Sequence, residues 1–229
     1  MMELTFENAV HCDKCNSKGH KIVTVDGRRM LAECECKAQR HSLLALSKYG
    51  AEDAISRFRF DNFEAEEDFQ KGMLQLCRDF IAQDESPFLY ISGQTGTGKT
   101  HLGNAVCGHF IAGGRNTLYN TFFELMGEMK SAVNDDEAYR DVLNRYGHAE
   151  VLYIDDFMKF KPTEADLKHA FELINRRVMR RGITVFTSEK PLEEIIELDE
   201  ALGGRIKQLC GRFCLCIGKK EGRNWRLKA

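Results

Sequence analysis

The sequence predicts an α/β fold, a parallel sheet with helices on both faces in three αβα layers, preceded by a small zinc-ribbon-like unit. Three observations carry this. Short apolar strands alternate with amphipathic helices over most of the chain, the pattern of a parallel sheet covered on both sides. One strand-to-helix junction reads Gly93-Gln94-Thr95-Gly96-Thr97-Gly98-Lys99-Thr100. Ahead of it, two cysteine pairs, Cys12-x-x-Cys15 and Cys34-x-Cys36, flank a hairpin pattern.

Composition sets the bounds. At 229 residues, 43% hydrophobic and 30% charged, the chain suits one α/β domain with a small appendage. Three prolines and no low-complexity tract exclude a fibrous or largely disordered protein. No apolar run approaches the roughly 18 residues of a membrane span, and MMELTFENAV lacks the basic start and apolar stretch of a secretory signal. A soluble, cytoplasmic protein without a membrane partner is therefore expected. The formal net charge of −2 is unevenly spread. Six acidic residues and one lysine lie between Glu189 and Glu200, read as an acidic helix, and eight Lys/Arg with only Glu221 follow between Gly203 and Ala229. Such a basic tail suits a phosphate backbone or a merely solvated surface.

The front end, residues 1–48, is read as a zinc-binding domain. Nine cysteines without a secretory signal argue against a disulfide framework. Between the pairs, HKIVTVDGRRMLAE alternates on either side of Asp26-Gly27, a type I′ hairpin signal. A hairpin brings Cys12, Cys15, Cys34 and Cys36 together as four thiolates for a tetrahedral Zn²⁺. His11, His20 or His41 in place of one thiolate, or four free cysteines, are the alternatives. Cys214 and Cys216 share one face of a strand and are expected to pack in the core with Cys210.

The rest follows in order. LLALSKYGAEDAIS reads as a short helix and connector, and residues 49–63 as an extended linker anchored by phenylalanines. The sheet domain then runs over 64–229. Phe69, Met73, Leu76 and Phe80 recur at helical spacing. SPFLYISG is a buried strand, and KTHLGNAVCGHFIAG a helix closed by Gly113-Gly114. RNTLYNT is a strand, followed by helices in FFELMGEMKSAV and DEAYRDVLNRYG. EVLYIDDF is a buried strand, TEADLKHAFELINRRVMRRG a long helix, ITVFTS a strand. A helix near LDEALGGRIKQL, the strand RFCLCIG and a last strand around NWRLK complete the reading.

The glycine-rich octapeptide fits G-x-x-x-x-G-K-[S/T], the P-loop pattern. Glycines free backbone N–H groups to cradle phosphate at a helix N-terminus. Residues Gly93 to His101 would bind ATP, with Lys99 on the β/γ-phosphates and the Thr100 hydroxyl on Mg²⁺. Asp155, at the end of an apolar strand, would hold the same Mg²⁺, and Asp156 would polarise the attacking water. Thr187 and Ser188 end the next strand, where a hydroxyl reaches the γ-phosphate or ends a turn. Arg205 and Arg212 are each a candidate finger toward a neighbouring subunit's γ-phosphate, or a plain surface arginine.

With these motifs in hand the chain resembles the DnaC/DnaI/IstB branch of the AAA+ ATPases, bacterial and phage helicase loaders. The matching segments are GQTGTGKTHLGNAV, LYIDDF, ELINRRVMRRGITVFTS, LGGRIKQL and GRNWRLK, and the likeness spans Cys12 to about Lys228. The resemblance implies an AAA+ core and slow ATP hydrolysis. It also implies self-association through ATP interfaces, single-stranded DNA binding, and docking of the zinc unit on the hexameric replicative helicase. It puts Arg205 in the arginine-finger slot and a reduced helical lid at the C-terminus. Glu189 stands where the family pattern has asparagine. For DNA, the residues offer the basic tail, Arg176, Arg177, Arg180 and Arg181 on one helix, and Phe122, Phe123, Phe157 and Phe160 for base stacking. An IstB-type transposition helper and a non-hydrolysing ATP-dependent switch are the competing readings. The zinc unit favours the loader.

Overall fold

A computed structural model describes residues 11–25, 27–47, 57–83, 85–220 and 224. The opening decapeptide, Asp26, the connector over 48–56 and most of the segment read as a last strand lie outside the described residues.

The front end is the expected hairpin. β1 (His20–Val25) pairs antiparallel with β2 (Arg28–Glu33), Ile22 opposite Leu31, and Gly27 takes φ +74° at the turn. α1 (Cys36–Ser47) begins on the last cysteine of the cluster, so the helix starts earlier than the sequence pattern suggests. A 3₁₀ turn (Phe60–Asn62) precedes α2 (Asp68–Ile81), which buries Met73, Cys77 and Phe80 along one stripe.

The strands β3 (Phe88–Gly93), β4 (Thr117–Thr121), β5 (Val151–Asp155), β6 (Ile183–Ser188) and β7 (Cys214–Ile217) form one parallel sheet in the order β4-β5-β6-β3-β7. Alternation along the strands builds two cores. Phe88, Tyr90, Leu152, Ile154 and Phe186 face one way. They pack against α4 (Phe122–Ala132), α5 (Asp136–His148), α6 (Glu164–Arg180), α7 (Leu192–Leu198) and α8 (Glu200–Cys210). Leu89, Ile91, Val151, Tyr153 and Val185 face α2 and α3 (Lys99–Ala112) on the other side. These are the three αβα layers the sequence calls for. The acidic stretch becomes α7 plus the Asp199 cap of α8, whose carboxylate accepts from Leu202 N.

α1 covers an edge of this sheet. Ser42 Oγ accepts the Thr117 amide at 2.8 Å, on the side of β4 that no described strand covers, and Leu43 joins the α2/α3 core. Capping the first amide of an edge strand removes one orphan donor.

Three expectations need correcting. Arg177 is fully buried and cannot meet DNA. Its guanidinium donates to Thr184 Oγ1 (3.1 Å) and to the carbonyls of Tyr146 (3.2 Å), Ala149 and Ile183 (2.5 Å), stapling α5 and α6 to the starts of β5 and β6. A Cβ on Gly182 would lie 2.6 Å from its Cζ, so glycine is required beside it. Phe122 and Phe157 are core residues, while Phe123 and Phe160 are exposed and meet edge to face at 6.4 Å. Cys214 is half-buried and Cys216 exposed, β7 lying outermost among the described strands; of the three, only Cys210 packs fully in the core.

Candidate functional site

Ligands of open α/β sheets sit at the carboxyl ends of the strands, and the glycine-rich loop lies there. Gly96 (φ +79°) and Gly98 (φ +93°) adopt left-handed conformations that let the chain wrap back on itself before α3 begins. Neither could carry a side chain. A Cβ on Gly98 would lie 2.7 Å from the Phe63 ring, and one on Gly96 1.9 Å from Asn224 Oδ1. Lys99 is buried, and its ammonium donates to the carbonyls of Gly93 (2.8 Å) and Gln94 (2.9 Å). Burial lowers its pKa, opposed by the nearby charges of Glu189 and Asp155. A buried ammonium at a helix N-terminus is the donor set that a phosphate chain requires.

Asp155 ends β5 beside it. Thr100 Oγ1 donates to Asp155 at 3.3 Å, and the Thr187 hydroxyl makes a short bond to the same carboxylate. Tyr153 and Tyr119 complete the setting, Tyr153 OH on Thr187 Oγ1 at 3.1 Å and Tyr119 OH on Asp155 at 3.5 Å. Burial raises the Asp155 pKa, partly offset by the Thr187 bond. Gly103 makes room for this arrangement, since a Cβ there would lie 2.5 Å from the Tyr153 ring. Thr187 thus bears on Asp155 rather than lining the cavity.

The remaining polar residues form a second cluster at the mouth. Asp156, in a left-handed conformation (φ +51°), accepts from Lys159 Nζ at 3.0 Å. Lys159 also lies 3.6 Å from Glu189, and Glu189 accepts from Thr95 Oγ1 at 2.5 Å. Phe58, Phe63 and His101 form the opposite wall, with ring centroids 4.9 Å and 5.0 Å from the imidazole, and His101 Nε2 approaches Arg59 O at 2.9 Å. The whole encloses about 420 Å³. Sequence reasoning missed this aromatic wall, because residues 57–63 read as linker. It also missed Lys159, Glu189 as a lining residue, and Asn224. Arg205 does not line the cavity; it is half-buried over the Phe171 ring at 4.7 Å.

The four front-end cysteines converge as well. Cys12 Sγ lies 3.7 Å from Cys34 Sγ and Cys15 Sγ 3.5 Å from Cys36 Sγ, and all four sulfurs fall within 4.8 Å of one another. The Gly19 amide donates to Cys15 Sγ at 3.3 Å, while Arg40 donates to Ser17 O at 2.9 Å and ties the cysteine turn to α1. Burial pushes the Cys36 thiol up to about 12. Four sulfurs in this compact array fit a tetrahedral, thiolate-loving ion. No histidine joins the cluster among the described residues.

Residues 28–204 match the family model described as IstB-like ATP-binding protein. The chain belongs to that family. Among its relatives, the uncharacterized protein YqaM of Bacillus subtilis is 28% identical over 212 residues, covering 85% of this chain and 66% of YqaM. The replicative helicase loader DnaC of Escherichia coli is 25% identical over 151 residues, 64% of this chain and 60% of DnaC. The chain therefore spans less than two thirds of the length of these two relatives. A crystal structure of the DnaC helicase loader superimposes with a TM-score of 0.61 at 18% identity, over 72% of this chain and 98% of that one. That likeness speaks for the fold, an IstB-like member with the AAA+ arrangement of strands. No helix among the described residues is long and apolar enough to cross a membrane.

Proposed function

We propose that this IstB-like protein is an ATP-dependent loader that places the replicative helicase on single-stranded DNA. The observation that carries the nucleotide half is the meeting of Lys99, Thr100 and Asp155 at one cavity below a helix N-terminus. Lys99 and the amides of the loop bind the phosphates. Thr100 and Asp155 supply the hard oxygen ligands that Mg²⁺ requires, and Mg²⁺ when bound neutralises charge on the β/γ-phosphates. Thr187, backed by Tyr153, holds the Asp155 carboxylate in place. Asp156 accepts the proton side of the attacking water. Arg205, outside its own cavity, acts on a neighbouring copy, so hydrolysis is slow until chains assemble.

Two surface features support the loading half. The hairpin leaves Ile22 and Leu31 exposed on one face and Val25 and Met30 on the other, apolar side chains that suit docking on a partner protein. Zn²⁺ on Cys12, Cys15, Cys34 and Cys36 would hold the hairpin rigid. Beside the cavity, Phe123 and Phe160 offer an exposed aromatic pair on which single-strand bases stack. The relationship to DnaC, a replicative helicase loader by name, points the same way. The site of action is the cytoplasm of a bacterium, with a cellular or phage origin both compatible.

Light scattering after size exclusion tests the reading, using the protein with the replicative helicase of its source organism, ATP and Mg²⁺. A defined complex that Leu31→Asp abolishes supports the loader. Absence of a complex, with ATP-dependent coating of duplex DNA instead, transfers the protein to the transposition helpers.

A further inference from the structure

The cavity contains a second lysine that no motif marks. Lys159 stands four residues beyond Asp155, on a turn that is fixed from several sides. Asp156 (φ +51°) and Met158 (φ +55°) are both left-handed although neither is glycine. Such conformations persist only where surrounding contacts over-determine them, and they gather at functional sites. Those contacts are present. Asp156 N donates to Asp155 Oδ1 at 2.9 Å, Phe157 N to Thr187 O at 2.8 Å, Ser188 Oγ to Phe157 O at 2.7 Å, and Lys159 N to Asp156 O at 3.1 Å. Phe157 and Met158 are fully buried. The turn therefore brings the chain back over the cavity and delivers Lys159 to its mouth.

The charges there are unusual for a site that receives an anion. Glu64, Asp155, Asp156 and Glu189 contribute four carboxylates, and Lys99 and Lys159 two ammonium groups. Lys99 lies at the floor of the loop, on the Gly93 and Gln94 carbonyls. Lys159 alone lies between the two carboxylates at the rim, 3.0 Å from Asp156 and 3.6 Å from Glu189. Glu189 in turn holds Thr95 of the loop. A terminal phosphate entering beside Asp156 and Glu189 meets strong like-charge repulsion unless a cation moves with it. A diphosphate, one group shorter, leaves this rim undisturbed.

We propose that Lys159 reads the terminal phosphate of a nucleoside triphosphate, exchanging its ion pair with Asp156 for one with that phosphate. The inference rests on the ATP reading above and extends it to triphosphate-over-diphosphate selection. Before the triphosphate arrives, Lys159 engages the carboxylate that must accept a proton from water. After the exchange, Asp156 is free to do so. Glu189 keeps Thr95 and Lys159 in register, which gives the carboxylate at this position a positioning role. Thr95, Glu189, Lys159 and Asp156 then form one relay from the loop to the water-side carboxylate.

Equilibrium binding of ADP and of a non-hydrolysable ATP analogue, each with Mg²⁺, tests this on the full chain. The proteins are wild type, Lys159→Met, Lys159→Arg, Glu189→Gln, and Lys168→Met, an exposed lysine on α6, as a control for net charge. Lys159→Met should lose about tenfold of the preference for the triphosphate analogue, the size of one charge-assisted hydrogen bond, with ADP affinity within about twofold of wild type. Lys159→Arg should recover part of that preference, and Lys168→Met should leave it unchanged. If Lys159→Met keeps the wild-type ratio while Lys99→Ala weakens both nucleotides, Lys159 is only a surface ion pair; the inference falls and the ATP reading stands. If wild type binds neither nucleotide, both fall together.

Discussion

The front hairpin and the sheet domain solve the same folding problem in opposite ways. In the sheet domain every residue of β3 is buried, and two continuous apolar clusters grip its faces. In the hairpin the buried cluster consists of Cys15, Cys34 and Cys36 with Cys12 against them, while the large apolar side chains Ile22, Met30 and Leu31 point outward. One region is built around two large apolar clusters, the other around four clustered sulfurs. The difference teaches where function can be placed cheaply. A core-supported rim tolerates buried charge such as Lys99 and Asp155, whereas the hairpin, built around clustered sulfurs, leaves its apolar side chains exposed.

Metal removal gives the largest effect and separates the two regions. Structural zinc contributes about 10–16 kcal/mol of apparent binding free energy in small cysteine sites, far more than a two-stranded hairpin can supply alone. Elemental analysis should return about one zinc per chain. A strong chelator, or Cys34→Ser, should unfold the hairpin, seen as rapid proteolysis within residues 11–35, while nucleotide binding persists. A metal-free chain whose hairpin resists protease equally well removes the contrast.

Arg177 probes the other side of it. Arg177→Met strands the carbonyls of Tyr146, Ala149 and Ile183 that the guanidinium satisfies. A buried acceptor left without its donor costs about 1–3 kcal/mol, so the loss should reach roughly 3 kcal/mol. Urea unfolding of the zinc-loaded protein should show that loss in the sheet domain with unchanged zinc content. A loss below about 1 kcal/mol would mean that the arginine is dispensable packing.

How far the sequence already contained this structure depends on the range of the interaction. The strands, the loop and the cysteine pairs were legible because each is a local pattern: alternation, a glycine spacing, a pair of thiols beside a turn. Asp155 was legible because it closes an apolar run. What escaped depends on tertiary geometry. Arg177 reads as one more basic residue in RRVMRR, and only the crossing of α6 over the starts of β5 and β6 buries it. Phe58 and Phe63 read as linker anchors, and only the return of residues 57–63 against α3 makes them a cavity wall. Cys216 reads as core, and only the place of β7 outermost among the described strands leaves it exposed. Lys159 has no signal at all without the left-handed turn that carries it.

Asp155 offers a smaller and sharper effect, because its two roles oppose each other. Its folded pKa is raised, chiefly by burial. A carboxylate whose pKa is higher in the folded state binds protons more tightly there, so folding loses stability as pH rises from the ordinary carboxylate value through the raised one. In zinc-loaded, Mg²⁺-free protein at neutral pH, Asp155→Asn should therefore raise the Tm by a few degrees while abolishing Mg²⁺-dependent nucleotide binding. The Tm advantage should shrink as pH falls from the raised value toward the ordinary carboxylate range and be gone below it. A variant that is less stable at every pH would mean that its bonds to Thr100 and Thr187 outweigh the burial of charge.

The smallest effect on stability belongs to the hairpin tip, and it bears most directly on function. Ile22 and Leu31 face each other across the strands at exposed positions, so a charge there buries nothing and breaks no ladder bond. Leu31→Asp should change the unfolding free energy by no more than about 0.5 kcal/mol, as for most surface substitutions. Zinc content and nucleotide affinity should match wild type. Should the helicase complex nevertheless be lost, the tip is a docking surface held out by metal rather than a piece of core. If instead Leu31→Asp lowers stability by several kcal/mol, those apolar side chains are packed in solution. The hairpin would then be a second hydrophobic unit, and the contrast between the two regions would disappear.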